Sequence, residues 1–348
     1  MNEPGIGQWL LISIFQFILY NLLVICKEKK LFTRCFKFLI KLIKSRRNKK
    51  QNKKDTSDDI MKIDENVKQE AERIKNLDLK STTEPLLVNE LLKEFYQKNK
   101  IKLNAVNNLS LGVSNNECFG LLGLNGAGKT TFIKILTGEL KPTSGNAYIN
   151  GYNVVKEEIK ARLNLGYCPQ FDYLAENMTV EETLTLFANL RGLESSKINK
   201  IVQDFIQIFN LNEFKKQFID KLSGGNKRKV SSAIGFIGMP SLVILDEPTS
   251  GMDPVARRYL WLVIKRCVDL GTTVLLTTHS MDECEALSSR LGFMINGQFK
   301  YLGNIFDLKQ KYGTGYTLIL KCINNNQINE LEQFIKENIN YSKLIGNI

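Results

Sequence analysis

Residues 120–131 read Gly-Leu-Leu-Gly-Leu-Asn-Gly-Ala-Gly-Lys-Thr-Thr. Gly123, Gly128, Lys129 and Thr130 satisfy the phosphate-loop pattern G-x-x-x-x-G-K-S/T. The apolar run Cys118–Leu122 before the loop reads as a strand, and Phe132–Leu136 after it as a helix, so the motif has its strand–loop–helix setting. Glycine lets the backbone fold closely around phosphate oxygens with its N–H groups turned inward, and the following helix N-terminus adds partial positive charge. Gly123 through Thr131, with Leu124, Asn125, Gly126 and Ala127 between the two motif glycines, are thus candidate ligands of a nucleotide's phosphates. Lys129 would reach the β- and γ-phosphates, and the Thr130 hydroxyl would face Mg²⁺.

The chain has 348 residues and a formal charge of +12, much of it gathered between Lys27 and Lys54. A local cluster of this kind argues for a membrane-facing segment and against nucleic-acid binding. Seven cysteines, an odd number, are scattered without C-x-x-C spacing, which argues against a disulfide framework or a zinc site and suits a reducing compartment for the globular part.

Working outward to the N-terminus, Trp9–Cys26 is an apolar run of about the length that crosses a bilayer. No cation precedes it and Lys27, Lys29 and Lys30 follow, so its C-terminal end is expected in the cytoplasm. A cleaved signal peptide fits less well, because the leading residues lack positive charge and carry Glu3. Leu31–Lys44 repeats cations at three- and four-residue steps, which on a helix makes one basic face. It suits either the headgroup layer or a solvated coupling helix. The expected organisation is an extracytoplasmic stub at 1–8, a transmembrane helix at 9–26, a basic amphipathic segment at 27–50 and a flexible linker at 51–84, with a short helix over Ile60–Ile74.

Downstream, strands are predicted at Leu86–Val88, Val106–Val113, Asn146–Ile149, Leu165–Cys168, Leu242–Leu245, Thr273–Thr277, Leu291–Ile295 and Gln298–Leu302. Asn150-Gly151 and Asn296-Gly297 are two-residue hairpin signals. Helices are predicted from Thr179, which forms a capping box with Glu182, to Leu190, and over Lys197–Asn210, Gly225–Ile237, Pro254–Leu270 and Met281–Ser288. Apolar strands alternating with helices imply a parallel sheet covered on both faces.

Several polar residues fall at strand ends, where open α/β sheets bind ligands. Asp246 and Glu247 end the strand Leu242–Leu245: Asp246 suits Mg²⁺, and Glu247 suits general-base work on a water attacking the γ-phosphate. Gln170 follows the Leu165–Cys168 strand, placed to sense Mg²⁺ and that water. His279, the sole histidine, follows Thr277-Thr278, where a neutral imidazole can donate to the γ-phosphate. Ser223-Gly224-Gly225 opens a helix and can bind phosphate for the same reason as the first loop. Asp253 lies in the turn after Glu247, within reach of a partner.

Together these residues resemble the nucleotide-binding domain of an ABC transporter over about Leu86–Leu320. Gln170 corresponds to the Q-loop, Leu222–Gly225 to the signature, Ser250–Asp253 to the D-loop and His279 to the switch. Gly166-Tyr-Cys-Pro-Gln-Phe-Asp172 and Ser223-Gly-Gly-Asn-Lys-Arg-Lys229 look like subfamily A, the lipid exporters, and the whole is similar to its C-terminal portion, the last membrane helix plus the second ATPase domain. The resemblance implies an α/β fold of the P-loop NTPase type: a RecA-like core sheet, an antiparallel β-subdomain and a helical signature subdomain, preceded by one transmembrane helix. It places the ATP-binding domain at 85–320 and the start of a small regulatory domain, cut short, at 321–348. It also implies ATP and Mg²⁺ as cofactors, and Phe95, with Tyr96 as the alternative, stacking on adenine. The implied partners are a second ATPase domain whose nucleotide Ser223 and Gly225 would contact, the transmembrane helices of a transporter, and the lipid bilayer. A membrane protein is expected, single-pass as it stands or multi-pass within a longer chain, with its ATPase domain in the cytoplasm. The expected function is ATP hydrolysis coupled to lipid movement. The alternative is a truncated, non-transporting ATP-binding interaction module.

Overall fold

The computed structural model describes residues 63–77, 83–96 and 102–312. The expected span at 9–26, the basic segment 27–50 and the stretch 321–348 lie outside them. Among the described residues no helix is long and apolar enough to cross a membrane.

The first element, α1 (Glu65–Lys75), is capped by Asp64, whose carboxylate accepts the Asn66 N–H at 3.0 Å. Then come β1 (Leu86–Tyr96), β2 (Lys102–Val113), β3 (Cys118–Leu122), α2 (Lys129–Leu136), β4 (Ser144–Ile149), β5 (Tyr152–Asn153) and α3 (Glu158–Leu163). They are followed by β6 (Leu165–Cys168), α4 (Val180–Leu190), α5 (Ser195–Ile208), α6 (Gly224–Phe236), β7 (Leu242–Asp246) and α7 (Pro254–Asp269). The described chain closes with β8 (Thr273–Thr278), α8 (Met281–Leu287), β9 (Arg290–Ile295), β10 (Gln298–Gly303) and α9 (Ile305–Tyr312).

Two sheets result. One is antiparallel, ordered β2-β1-β4-β5; the other is mixed, ordered β10-β9-β3-β8-β7-β6, with β9, β3, β8, β7 and β6 parallel and β10 returning antiparallel. In the turn between β4 and β5, Asn150 and Gly151 have φ of 49° and 80°, the left-handed pair that a two-residue hairpin needs. Alternation along the central strands splits the core in two. Val243, Leu245, Val274 and Leu276 pack against α4 to α7, while Leu242, Ile244 and Leu275 pack against α2 and the antiparallel sheet. Burial on both faces is why these strands read as unbroken apolar runs.

Several observed elements differ from the predicted ones. Strands β1 and β2 run well past the expected Leu86–Val88 and Val106–Val113, because register shifts after Val88, Leu91 and Lys93 break the alternation that would reveal them. Helix α3 buries only Ala161 and α9 only Leu308, too little to leave a periodic pattern. The helix expected over Ile60–Ile74 is observed as Glu65–Lys75, and it is docked onto the sheets. Its Glu70 carboxylate accepts the Gly112 N–H at 2.9 Å, Arg73 spans Glu70 and Glu84, Asn66 donates to the Leu302 carbonyl at 3.0 Å, and Ile74 is fully buried.

Helix α6 comes unusually close to β6. A Cβ on Gly166 would lie 1.9 Å from the Gly235 carbonyl oxygen and 2.9 Å from Pro240. Neither backbone can yield without separating helix from strand. Gly166→Ala should therefore lower unfolding stability by at least roughly 1–3 kcal/mol, read as a lower urea midpoint at unchanged slope.

Candidate nucleotide site

The parallel register gathers the chemistry at one sheet edge. Leu122 pairs with Thr278, Asp246 with Thr277, and Cys168 with Leu245, so the phosphate loop, His279, Asp246-Glu247 and Gln170 all leave the sheet from the same end. The four cysteines in the described residues are free and buried, and burial pushes the Cys118 and Cys284 thiols up to about 12, leaving them unreactive.

Gly126 and Gly128 hold φ of 84° and 109° in the phosphate loop, values that L side chains avoid. A Cβ on Gly128 would sit 2.2 Å from the Ala105 carbonyl oxygen, so the loop is pressed against β2 on one side, while beyond Gly126 the space is open. The loop is closed by Ala127, whose N–H donates to the Leu124 carbonyl at 3.1 Å and whose carbonyl accepts from Gly297 at 2.8 Å. No side chain caps α2, so its first N–H groups are free for an anion. Inside the loop the Lys129 ammonium donates to the Gly123 carbonyl at 2.5 Å and to the Leu124 carbonyl at 3.3 Å. Burial holds this ammonium below the usual lysine range, opposed by the charges of Glu247 and Asp246. Thr130 is exposed and Thr131 half-buried at the start of α2. An anionic ligand fits this cradle: it would restore solvation to the lysine and meet the uncapped N–H groups.

Asp246 is 4% exposed, and its Oδ1 accepts the Thr277 hydroxyl at 2.5 Å. Burial raises its carboxyl above the usual range and Glu247 adds to this, while the Thr277 hydroxyl, Arg228 and Lys129 pull the other way. Glu247, 8% exposed, is the hub: its Oε2 accepts from Gln170 Nε2 at 3.2 Å and its Oε1 lies 3.4 Å from His279 Nδ1. Its backbone has φ 48°, a left-handed conformation rare for a residue before proline, and its N–H donates to the Thr277 carbonyl at 3.0 Å. Among the described residues no three His, Cys, Asp or Glu side chains converge on one point. Thr130, Asp246 and Gln170 are the oxygen donors that could hold Mg²⁺, an ion bound by few side chains with phosphate oxygens completing its shell.

Other expected residues stand apart from this edge. Ser223 caps α6, its hydroxyl accepting the Asn226 N–H at 3.3 Å, and Ser223 and Gly224 are exposed with Gly225 half-buried. Asp253 caps α7, accepting the Val255 and Ala256 N–H groups at 3.0 Å each. The Ala256 bond leads in holding its carboxyl below the usual range. Phe95 is the penultimate residue of β1 and pairs with Leu103, which lies two residues from the Ala105 whose carbonyl abuts Gly128. Its ring is 38% exposed with Lys93 Nζ 5.3 Å from its centre, whereas Tyr96 is 72% exposed.

Two residues of the site escaped the sequence reading. Thr277 reads in the sequence only as strand, yet its hydroxyl donates to the Asp246 carboxylate. Arg228 is buried behind the acidic pair, with its guanidinium on the Asp246, Glu247 and Pro248 carbonyls at 2.6, 2.8 and 2.9 Å. It also meets the Pro169 carbonyl and, at 3.0 Å, the Asp172 carboxylate. The available signal was a cation on the packed face of α6, in line with Ser232 and Gly235.

The fold is that of the phosphate-loop ATPases. A family model described as ABC transporter matches residues 106–250. The chain is 41% identical over 334 residues to the phospholipid-transporting ATPase ABCA3 of Mus musculus, covering 96% of this chain and 19% of that protein. It is 44% identical over 272 residues to ATP-binding cassette sub-family A member 17 of Mus musculus, covering 78% of this chain and 16% of that protein. A solved structure of the ATP binding subunit of an ABC transporter superposes with a TM-score of 0.60 at 30% identity, covering 66% of this chain and 93% of the other. The chain belongs to the ABC transporter family and carries that family's ATPase domain, with sub-family A members among its relatives. It spans about a fifth of the length of the ABCA3 relative.

In an unfolded chain an aspartate ionises above about pH 4. In the folded site burial favours the neutral form, so ionisation costs stability as pH rises past that value, and the cost vanishes below it. Asn can still accept the Thr277 hydroxyl. Nucleotide-free Asp246→Asn should thus melt above wild type at pH 7.5, with the gap closing as the pH is lowered towards 4, in thermal scans across that range.

Proposed function

We propose that this chain binds Mg-ATP at the phosphate-loop edge and hydrolyses it in a sandwich with a second cassette, coupling turnover to lipid movement across a membrane. The observation that carries this reading is the convergence of Gln170 and His279 on Glu247, at the edge that also presents the phosphate loop and Asp246.

The residues divide the work by position. Lys129 exchanges its bonds to the Gly123 and Leu124 carbonyls for phosphate oxygens, and the N–H groups from Gly123 to Thr131 cradle the same anion. Phe95 stacks on adenine from the end of β1. Thr130, Asp246 and Gln170 would hold Mg²⁺, which would supply charge neutralisation at the phosphates. Glu247 accepts a proton from the attacking water, and Gln170 and His279, both within reach of its two oxygens, hold that carboxylate and the water in line. His279 is exposed, free to meet the γ-phosphate. Ser223, Gly224 and Gly225 make no bond to the chain's own loop among the described residues, and the exposure of Ser223 and Gly224 suits contact with a partner's nucleotide; Asp253, also exposed, is a second such contact. Lipid as the cargo is supported by the name of the ABCA3 relative, a phospholipid-transporting ATPase. The transmembrane helices of a transporter and the bilayer complete the set of partners, with the ATPase domain on the cytoplasmic side.

Lys129→Ala should reduce Mg-ATP hydrolysis by the full chain at least about 100-fold, and Glu247→Gln should cut it as far while retaining bound ATP on gel filtration. Undiminished turnover in both variants would overturn the reading.

A further inference from the structure

Arg228 is 3% exposed, and a buried guanidinium is tolerated only when its donors are matched. The match here is complete. Nε takes the Pro248 carbonyl, Nη1 takes the Pro169 carbonyl and the Asp172 carboxylate, and Nη2 takes the Asp246 and Glu247 carbonyls. Five N–H groups meet five acceptors, leaving none over. The acceptors belong to two separate segments: the end of β7, which bears Asp246 and Glu247, and the loop after β6, which bears Gln170. The guanidinium itself rides on α6, whose N-terminal end carries the exposed Ser223 and Gly224.

One of those bonds has a specific consequence. Glu247 keeps its left-handed backbone with its N–H tied to the Thr277 carbonyl and its own carbonyl tied to Arg228 Nη2. Strained backbone persists only where its surroundings over-determine it. Without the second tie the peptide between Glu247 and Pro248 is free to rotate, and the carboxylate leaves its place between Gln170 and His279. A lysine cannot substitute, because a single ammonium on a flexible stem cannot serve acceptors spread around a planar fork.

We propose that Arg228 is a positioning residue for hydrolysis: from α6 it sets the backbone of Glu247 and the loop of Gln170 in the geometry that activates water. The inference rests on the ATPase reading above and adds to it a residue that touches neither nucleotide nor water.

The test uses the full chain in detergent micelles, comparing wild type, Arg228→Lys and Asp172→Ala, with Mg-ATP affinity taken from titration with a fluorescent ATP analogue. Rates are expressed per folded, nucleotide-binding molecule. A purely structural role would lower the melting temperature and the folded fraction but leave kcat per binding-competent molecule unchanged. The positioning role predicts a kcat for Arg228→Lys at least about tenfold below wild type, with KM and analogue affinity within about threefold. Asp172→Ala removes one tie from a half-buried position without disturbing the core, so it remains informative if Arg228→Lys does not fold. It should lower kcat about threefold or more, again with KM held. A kcat within twofold of wild type for Arg228→Lys, or for Asp172→Ala where Arg228→Lys does not fold, overturns the inference alone. A wild-type chain that binds no Mg-ATP or does not turn it over overturns the ATPase reading and the inference with it.

Discussion

The placement of β8 between β3 and β7 is the constraint on which the site depends. Its register sets Thr278 beside Leu122 and Thr277 beside Asp246, bringing the phosphate loop and the acidic pair to one edge although long stretches of chain separate them. A slip of one residue would turn Thr277 to the other face, detach its hydroxyl from Asp246 and put apolar side chains at the edge. Burial on both faces prevents the slip, since Val274 and Leu276 serve one core and Leu275 the other. The same packing that stabilises the sheet therefore aligns the chemistry.

That edge is costly in stability. Lys129, Asp246 and Glu247 are buried just beyond or at strand ends, Arg228 is buried behind them from α6, and Glu247 adds a strained backbone. Each charge is held by a hydrogen-bonded partner or an opposite charge, so the group is tolerated without being optimal. Raising the Asp246 carboxyl and lowering the Lys129 ammonium are two expressions of one fact, that both lack the water a charged group prefers. A cation near Asp246 and an anion near Lys129 would relieve both, which is why the site suits a metal–polyphosphate ligand better than either ion alone.

Two helix caps, one a carboxylate and one a hydroxyl, illustrate how local and distant roles coexist. Asp253 and Ser223 each begin a helix and satisfy its first N–H groups, a purely local duty. Both also lie at exposed ends that a second cassette could meet. Capping fixes the direction in which those exposed ends face, so the local bond also sets what each end presents to solvent.

Much of this was legible in the amino-acid order. The phosphate loop, the strand-end acids, the Thr179–Glu182 capping box and the Asn-Gly hairpins are local patterns, and each appears where its residues require it, because loop curvature, capping and two-residue turns are set by neighbours along the chain. The strands β3, β6, β7 and β8 followed equally from unbroken apolar runs. What the order of residues left open was everything decided across distance. The docking of α1 onto β2 and β10 is hidden because its segment is polar and charge-rich and carries one fully buried side chain, so composition speaks for a linker and only Gly112, Glu84 and Leu302 make it a brace. The partners of Arg228 come from residues far apart in sequence, and a lone arginine in a helix carries no mark of the carbonyls it will meet. Local sequence determines which segments can bind phosphate or end in an acid. Only packing, through the register of β8 and the close approach of α6 to Gly166, decides that they share one site.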